Sequence, residues 1–176
     1  MWVRPPRVGL LWTPGYWGYQ NGLYGFNDGY WGSSVGFYGG INYGFGYGGS
    51  GYYGGRWSGD RFLYNTAVTR VNTTVINNNY TYSNQVQPTG SRAGFNGPGG
   101  AKAQATAQEQ AAAKASHVPA TQAQRPRVHA AKNDPPQQLK TNKRNPRPQA
   151  TPPANHKTRT THEAPTPRNH QHRAPN

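Results

Sequence analysis

The sequence contains no cysteine, and its first hundred residues contain no histidine, glutamate or lysine. The absence of cysteine excludes disulfides, thiolate zinc sites and a cysteine nucleophile. The only carboxylates in the first hundred residues belong to Asp28 and Asp60, which lie in Asn-Asp-Gly and Ser-Gly-Asp segments typical of turns. Serine residues there have no histidine to activate them. We therefore expect no enzymatic activity and no cofactor.

Residues 101–176 lack glycine and aromatic residues. Their only apolar side chains larger than alanine are Val118, Val128 and Leu139, too little surface to offset the roughly 1–2 kcal/mol per residue of backbone ordering entropy. The same stretch carries 13 of the 19 basic residues and 11 of the 16 prolines. The sequence predicts a linker over 83–100, a marginal helix over 101–116 and a disordered basic Pro/Gln/Ala-rich tail over 117–176.

Long hydrophobic runs are also missing. No run is longer than that at Leu10–Trp12, which is far shorter than the roughly 20 residues that cross a bilayer. The opening MWVRPPR lacks the apolar region of a secretory signal. We therefore expect no transmembrane segment and no signal peptide in this chain.

Aromatic residues and glycine dominate the remaining part of the sequence, where no helical periodicity is present. After an extended lead over 1–7, alternating apolar residues predict strands at 41–47, 62–68 and 71–75. Turn residues recur between them, at Asn21-Gly22, Asp28-Gly29, Gly39-Gly40, Gly48-Gly49 and Ser58-Gly59-Asp60. The prediction is an all-β fold over 8–82, a small antiparallel meander of short strands.

Two short sequences occur twice. GYWG stands at 15–18 and 29–32, and GFYGG at 36–40 is similar to GYYGG at 51–55. Such repetition predicts units that bury their rings against each other. If Trp12 and Trp17 lie on facing strands around a turn at Pro14-Gly15, their rings stack on each other and on Tyr30 and Trp31. The structural motif residues are Trp12, Gly15, Trp17, Tyr30, Trp31 and Trp57.

Binding through the tail or the rings is the alternative to a purely structural role. The candidate polyanion contacts are Lys140, Lys143, Arg144, Arg147, Lys157 and Arg159. Because the tail has no aromatic residue to stack on bases, we expect no specific nucleic-acid recognition. Rings around Arg56-Trp57 could bind sugars, although core packing is favoured for most of them. The histidines near His170 predict only adventitious metal binding.

Residues 12–17, WTPGYW, match W-x-x-G-x-W without a mismatch, and GYWG, VGFYGGINYGFGYGG and GYYGGRW follow. Residues 2–82 thereby resemble the YXWGXW (WXXGXW) repeat proteins of bacteria. The resemblance implies an exported cell-envelope protein, periplasmic, outer-membrane-associated or secreted, with no catalytic residues. Relative to the usual member, the leading signal and earlier tryptophan-rich repeats are missing, which implies either that Met1 is an internal start or that the chain is truncated at its N-terminus.

The leading hypothesis is a non-enzymatic structural or interaction module of the bacterial envelope, whose tail contacts anionic surfaces. Polyanion or nucleic-acid binding through the basic tail and carbohydrate binding by exposed rings are the two alternatives. The sequence identifies neither a ligand nor a partner.

Overall fold

A computed structural model describes residues 3–83 and 90–134. These residues form short strands in small, mainly antiparallel sheets, together with two short helices, and the predicted all-β class is confirmed. The strands are β1 (Leu11–Thr13), β2 (Tyr16–Gln20), β3 (Leu23–Asn27), β4 (Tyr30–Gly32), β5 (Asn42–Gly44), β6 (Tyr47–Gly48), β7 (Gly55–Ser58), β8 (Arg61–Asn65), β9 (Asn79–Tyr80), β10 (Phe95–Asn96) and β11 (Val118–Pro119). The helices are α1 (Ala107–Lys114) and α2 (Arg125–Lys132).

A long interrupted hairpin organises the first third of the fold. Strand β1 pairs with β4, and β2 pairs with β3. The chain reverses at the predicted Asn21-Gly22 turn, whose φ angles of 51° and 82° are those of a type I′ turn. Thr13 faces Tyr30 on one side of the interruption, and Tyr16 faces Asn27 on the other. Two residues on each arm, 14–15 and 28–29, are left unpaired, so the pairing register is the same on both sides of the interruption.

This arrangement corrects the prediction for Trp12 and Trp17. Pro14-Gly15 is not a chain reversal, and the two tryptophans lie on the same arm of the hairpin. Trp12 faces Trp31, with ring centroids 5.3 Å apart, and Trp17 faces Phe26 at 5.6 Å. The tryptophans therefore pack across the hairpin, Trp12 against Trp31 of the second GYWG segment and Trp17 against Phe26, rather than against each other.

The predicted strand over 41–47 is also wrong, because the chain turns in its middle. Strands β5 and β6 pair with each other, and Phe45 and Gly46 between them have φ angles of 53° and 92°. Gly44 has a φ of 73°, and the register shifts there. Glycine at 44 and 46 permits left-handed backbone, so a turn replaces the alternation of Tyr43, Phe45 and Tyr47.

The next sheet has the order β7-β8-β9. Strands β7 and β8 form a hairpin closed at the predicted Gly59-Asp60 turn, and β9 adds in parallel to β8. The strand predicted over 62–68 corresponds to β8, which ends earlier, at Asn65. Residues 71–75 form no strand, which corrects that prediction: the backbone turns there, and Ile76 N–H donates to the carbonyl of Asn72.

The core includes residues from well beyond the predicted β domain. Tyr38 and Ile41 are fully buried, and Phe95 is only 2% exposed. Phe95 lies in β10, which pairs in parallel with β2 and places Phe95 beside Trp17. The segment predicted as a linker over 83–100 therefore contributes a core side chain, because its single aromatic residue fills space beside the glycine-rich strands.

Residues 101–134 are also part of the fold. Helix α1 lies within the predicted marginal helix and begins with a capping box formed by Thr106 and Glu109. From 117 onward the prediction of disorder is wrong as far as residue 134, since β11 pairs with β4 and helix α2 follows. Residues 117–134 have little apolar surface, and polar contacts with the hairpin, such as Gln124 with Trp31 and Lys132 with Asp28, hold them in place. The predicted tail over 135–176 lies outside the described residues.

Candidate interaction surfaces

The hairpin tryptophans are largely structural. Trp31 is 6% exposed, and its indole Nε1 donates to Oε1 of Gln124 over 2.9 Å. Thr121 also donates to that amide oxygen, through both its backbone N–H and its hydroxyl. Trp57 lies in β7, and its Nε1 donates to the carbonyl of Leu10 over 3.0 Å. The indole N–H groups of Trp31 and Trp57 thus donate hydrogen bonds to other segments of the same chain.

Tyrosine hydroxyls hold the glycine-rich loops. Tyr38 donates to the carbonyl of Gly51 over 2.9 Å and accepts from the N–H of Gly49. Tyr43 donates to Gly15, and Tyr47 donates to Trp12 over 2.6 Å. Burial raises the pKa of Tyr38, Tyr43 and Tyr47, because the charged phenolate would lose its hydration. These phenols are therefore neutral structural donors at physiological pH.

Three carboxylates of the described residues, those of Asp28, Asp60 and Glu109, also have structural positions. Asp28 Oδ2 accepts from Lys132 Nζ over 2.8 Å and thereby joins the hairpin to α2. Glu109 caps α1 through its Oε2 and is almost fully buried. Asp60 lies in the turn between β7 and β8. No three of the described His, Asp and Glu side chains group closely enough to hold a metal ion.

One aromatic surface reaches solvent near the end of the long hairpin. Tyr19 faces Tyr24 across β2 and β3, with ring centroids 4.9 Å apart, and is 40% exposed. Tyr24 packs edge-on against Phe95 and donates from its hydroxyl to the carbonyl of Pro98. Leu23 next to this pair is also exposed. The arrangement holds the Tyr19 ring on a fixed support while leaving it accessible.

A second surface combines arginine with tyrosine on the β7-β8-β9 sheet. Arg56 faces Leu63 across β7 and β8, while Tyr80 in β9 faces Asn65. The guanidinium carbon of Arg56 lies 4.8 Å from the centre of the Tyr80 ring. The sequence singled out Arg56, but Tyr80 was missed because pairing of β9 with β8 depends on a connection without strand periodicity.

The predicted motif residues divide between two places in the fold. Trp12, Gly15, Trp17, Tyr30 and Trp31 come together in the hairpin, whereas Trp57 contacts Phe62 on the β7-β8 hairpin. All six predicted polyanion contacts, Lys140, Lys143, Arg144, Arg147, Lys157 and Arg159, lie outside the described residues. Phe95 and Gln124, which pack against the hairpin or hydrogen-bond with it, were not identified from the sequence. For Phe95 the available signal was a single large aromatic residue within FNGPGG.

Comparison with protein-family models gives no match, and no curated protein or solved structure matches the chain. The resemblance of residues 2–82 to YXWGXW repeat proteins therefore stays a prediction. Neither helix in the described ranges has the length and apolar character needed to span a bilayer.

Proposed function

We propose that this protein is a non-enzymatic structural or interaction module of the bacterial cell envelope. Its aromatic domain acts as a rigid carrier, and its basic C-terminal part contacts anionic surfaces. The observation that carries the proposal is that the polar groups of the aromatic side chains form hydrogen bonds within the protein. Backbone carbonyls of the same chain accept from Tyr38, Tyr43, Tyr47 and Trp57. The envelope assignment rests on the family resemblance.

Charge distribution supports a role at anionic surfaces. The whole chain carries a formal net charge of +14, and eight of its 19 basic residues follow residue 134, where Glu163 is the single acidic residue. Each Lys or Arg near an anionic lipid surface adds about 1 kcal/mol of attraction at low salt. Several such residues in one segment therefore favour binding that salt weakens.

Vesicle binding of the full-length protein tests this role. The tail variant replaces Lys140, Lys143, Arg144, Arg147, Lys157 and Arg159 by Gln. The control variant replaces six exposed basic residues of the ordered part by Gln: Arg4, Arg70, Arg92, Lys102, Lys114 and Arg127. Both variants have the same net charge. On vesicles containing phosphatidylglycerol we expect the tail variant to lose about tenfold or more in affinity, and the control much less.

Two results would overturn the proposal. Equal losses for the two variants would mean that net charge alone governs binding, and equal binding to neutral phosphatidylcholine vesicles would exclude an anionic surface as the target. Envelope placement has its own test, immunoblotting of fractionated native cells, in which recovery from the cytosol alone contradicts it.

Carbohydrate binding is a second candidate function, favoured by the supported and accessible ring of Tyr19. Aromatic faces on rigid strands suit the apolar faces of sugar rings. Titration with soluble glycan fragments, followed by NMR, tests it: Tyr19→Ala should abolish shifts of the β2–β3 amides, whereas Tyr82→Ala, at another exposed tyrosine, should preserve them. Shifts that are unchanged in Tyr19→Ala would exclude this surface.

A further inference from the structure

The two faces of the β7-β8-β9 sheet differ in chemistry. Trp57, Phe62 and Tyr64 share one face, where neighbouring rings lie 5.3 and 5.1 Å apart. The Trp57 indole on that face bonds to the carbonyl of Leu10 in the N-terminal segment, so this face packs against the domain. Side chains alternate along a strand, so the neighbours of these three residues occupy the opposite face.

That opposite face carries two exposed arginines and a ring. Arg56 and Ser58 in β7 and Arg61 in β8 are exposed, whereas Leu63 and Tyr80 are half-buried. Arg56 extends across the strand that carries Leu63 and reaches Tyr80, 4.8 Å from the ring centre. This surface, made of Arg56, Ser58, Arg61, Leu63 and Tyr80, is called the Arg-Tyr face below.

The arginines of the Arg-Tyr face keep their hydrogen-bond donors. Among residues 3–83 and 90–134, Lys132 forms an ion pair with Asp28. No carboxylate of these residues lies within ion-pair distance of Arg56 or Arg61. The Tyr80 ring attracts the Arg56 guanidinium electrostatically and thereby fixes its position. This cation–π contact uses none of the guanidinium N–H donors. The Arg-Tyr face therefore presents a guanidinium group that is held in place over an aromatic ring.

Guanidinium groups match phosphate oxygens in a two-pronged geometry, and aromatic rings on a sheet stack with nucleobases. A face that offers both within one three-stranded sheet suits a ligand that carries a phosphate and a flat ring together. An anionic lipid or glycan would use the guanidinium groups but would have no need of Tyr80. The combination favours a nucleotide unit, as in single-stranded nucleic acid, where stacking and backbone contacts act together without sequence preference.

We propose that the Arg-Tyr face binds nucleotide units, free or within a single strand, with Arg61 contacting phosphate and the Arg56 guanidinium, held over the Tyr80 ring, stacking on the base. This site goes beyond the proposed envelope role, is separate from the basic tail and requires no particular base sequence. Asp60, in the turn next to Arg61, is the nearest acidic residue along the chain and opposes phosphate binding.

The experiment measures binding of the full-length protein to fluorescein-labelled octauridylate at 0.2 M NaCl, where contacts of the tail are weakened. Arg56→Gln and Tyr80→Leu should each lower the affinity by about fivefold or more. Arg92→Gln, an equal charge change at an exposed residue elsewhere, should change it less than twofold. Tyr80→Phe keeps the ring and should bind like the parent. Adenosine monophosphate, followed by amide NMR shifts of β7–β9, distinguishes free nucleotide from strand binding.

Tyr80→Leu is decisive because it leaves the charge unchanged. If it binds octauridylate like the parent protein, attraction is purely electrostatic and the site is excluded. Should Tyr80→Leu fail to fold by circular dichroism, Ser58→Asp takes its place, since it puts a negative charge on an exposed position of the same face. Unchanged affinity in Ser58→Asp would overturn the proposal. Phosphatidylglycerol vesicles serve as a further arm: a loss for Tyr80→Leu on vesicles equal to that on octauridylate also contradicts nucleotide recognition.

Discussion

The backbones of Gly15 and Gly29 lie directly against each other at the interruption of the long hairpin. A Cβ atom on Gly15 would stand 2.9 Å from the amide nitrogen of Gly29, and a Cβ on Gly29 would stand 2.8 Å from that of Gly15. These are the first glycines of the two GYWG segments. Trp12 faces Trp31 and Trp17 faces Phe26 on either side of them, so the two segments run antiparallel, and the first supplies Trp17 to one pair while the second supplies Trp31 to the other.

Gly29→Ala should therefore destabilise the fold by about 1–3 kcal/mol, as expected for overpacking. The new methyl group would meet the Trp12 ring at 2.5 Å and the carbonyl oxygen of Thr13 at 2.6 Å. Gly25→Ala is the matched control in the same hairpin, because a Cβ there meets nothing within 4 Å. Thermal melting followed by circular dichroism measures both. Equal melting temperatures for the two variants would show that the close approach of Gly15 and Gly29 does not limit stability.

Turn chemistry was predictable from sequence where glycine followed asparagine, as at Asn21-Gly22. In the glycine-rich stretch 44–49 the same reasoning failed. Every second residue there permits either extended or left-handed backbone, so the alternation of Tyr43, Phe45 and Tyr47 does not distinguish a strand from a turn. The turn at Phe45 and Gly46 is accompanied by a contact with the following loop, in which Tyr53 N–H donates to the carbonyl of Gly46.

The extent of the ordered chain was underestimated for a different reason. Counting apolar side chains after residue 100 correctly finds too few for an independent core. It does not count polar groups that complete the hydrogen bonds of another segment, as Gln124 does for Trp31. The interaction surfaces were equally inaccessible to sequence reasoning, because the contact of Arg56 with Tyr80 spans three strands.

Gln124→Ala tests whether residues 101–134 stabilise the hairpin. Gln124 is 8% exposed, and its loss leaves the indole N–H of Trp31 without its acceptor. A buried donor without a partner costs about 1–3 kcal/mol, so the melting temperature should fall and the tryptophan emission should shift. Gln122→Ala, at an exposed position two residues earlier, should change neither. A parent-like melt for Gln124→Ala would mean that this segment contributes little to stability.

Asn65 is a buried hydrogen-bond centre, and Asn65→Asp should be severely destabilising. Its Nδ2 donates to the carbonyls of Tyr53 and Tyr82, and its Oδ1 accepts from the N–H groups of Ala67 and Tyr82. A carboxylate would place charge against two carbonyl oxygens, with an expected cost of several kcal/mol in urea unfolding. Asn77→Asp adds the same charge at an exposed site and should remain within about 0.5 kcal/mol of the parent. Similar unfolding midpoints for both variants would contradict the assigned role of Asn65.

Alkaline pH should unfold the domain through its buried phenols. Burial is the main cause that raises the pKa of Tyr38, Tyr43, Tyr47 and Tyr52 above the ordinary value of about 10. Above that pH the unfolded chain ionises these phenols first and binds fewer protons than the folded chain, so the stability falls as pH rises. Below about pH 10 both states hold these protons, and the four phenols leave the stability independent of pH.

Absorbance at 295 nm and circular dichroism, recorded together from pH 8 to 13, test this linkage. We expect a group of tyrosines to ionise late and steeply, at the pH where the dichroism signal is lost, because the hydroxyl of Tyr47 must leave the carbonyl of Trp12 before it can be hydrated. In 6 M guanidinium chloride the late phase should disappear, since every tyrosine is then in water. Complete ionisation near pH 10 with an unchanged dichroism signal would mean that these hydroxyls are accessible in the folded protein and do not hold its loops.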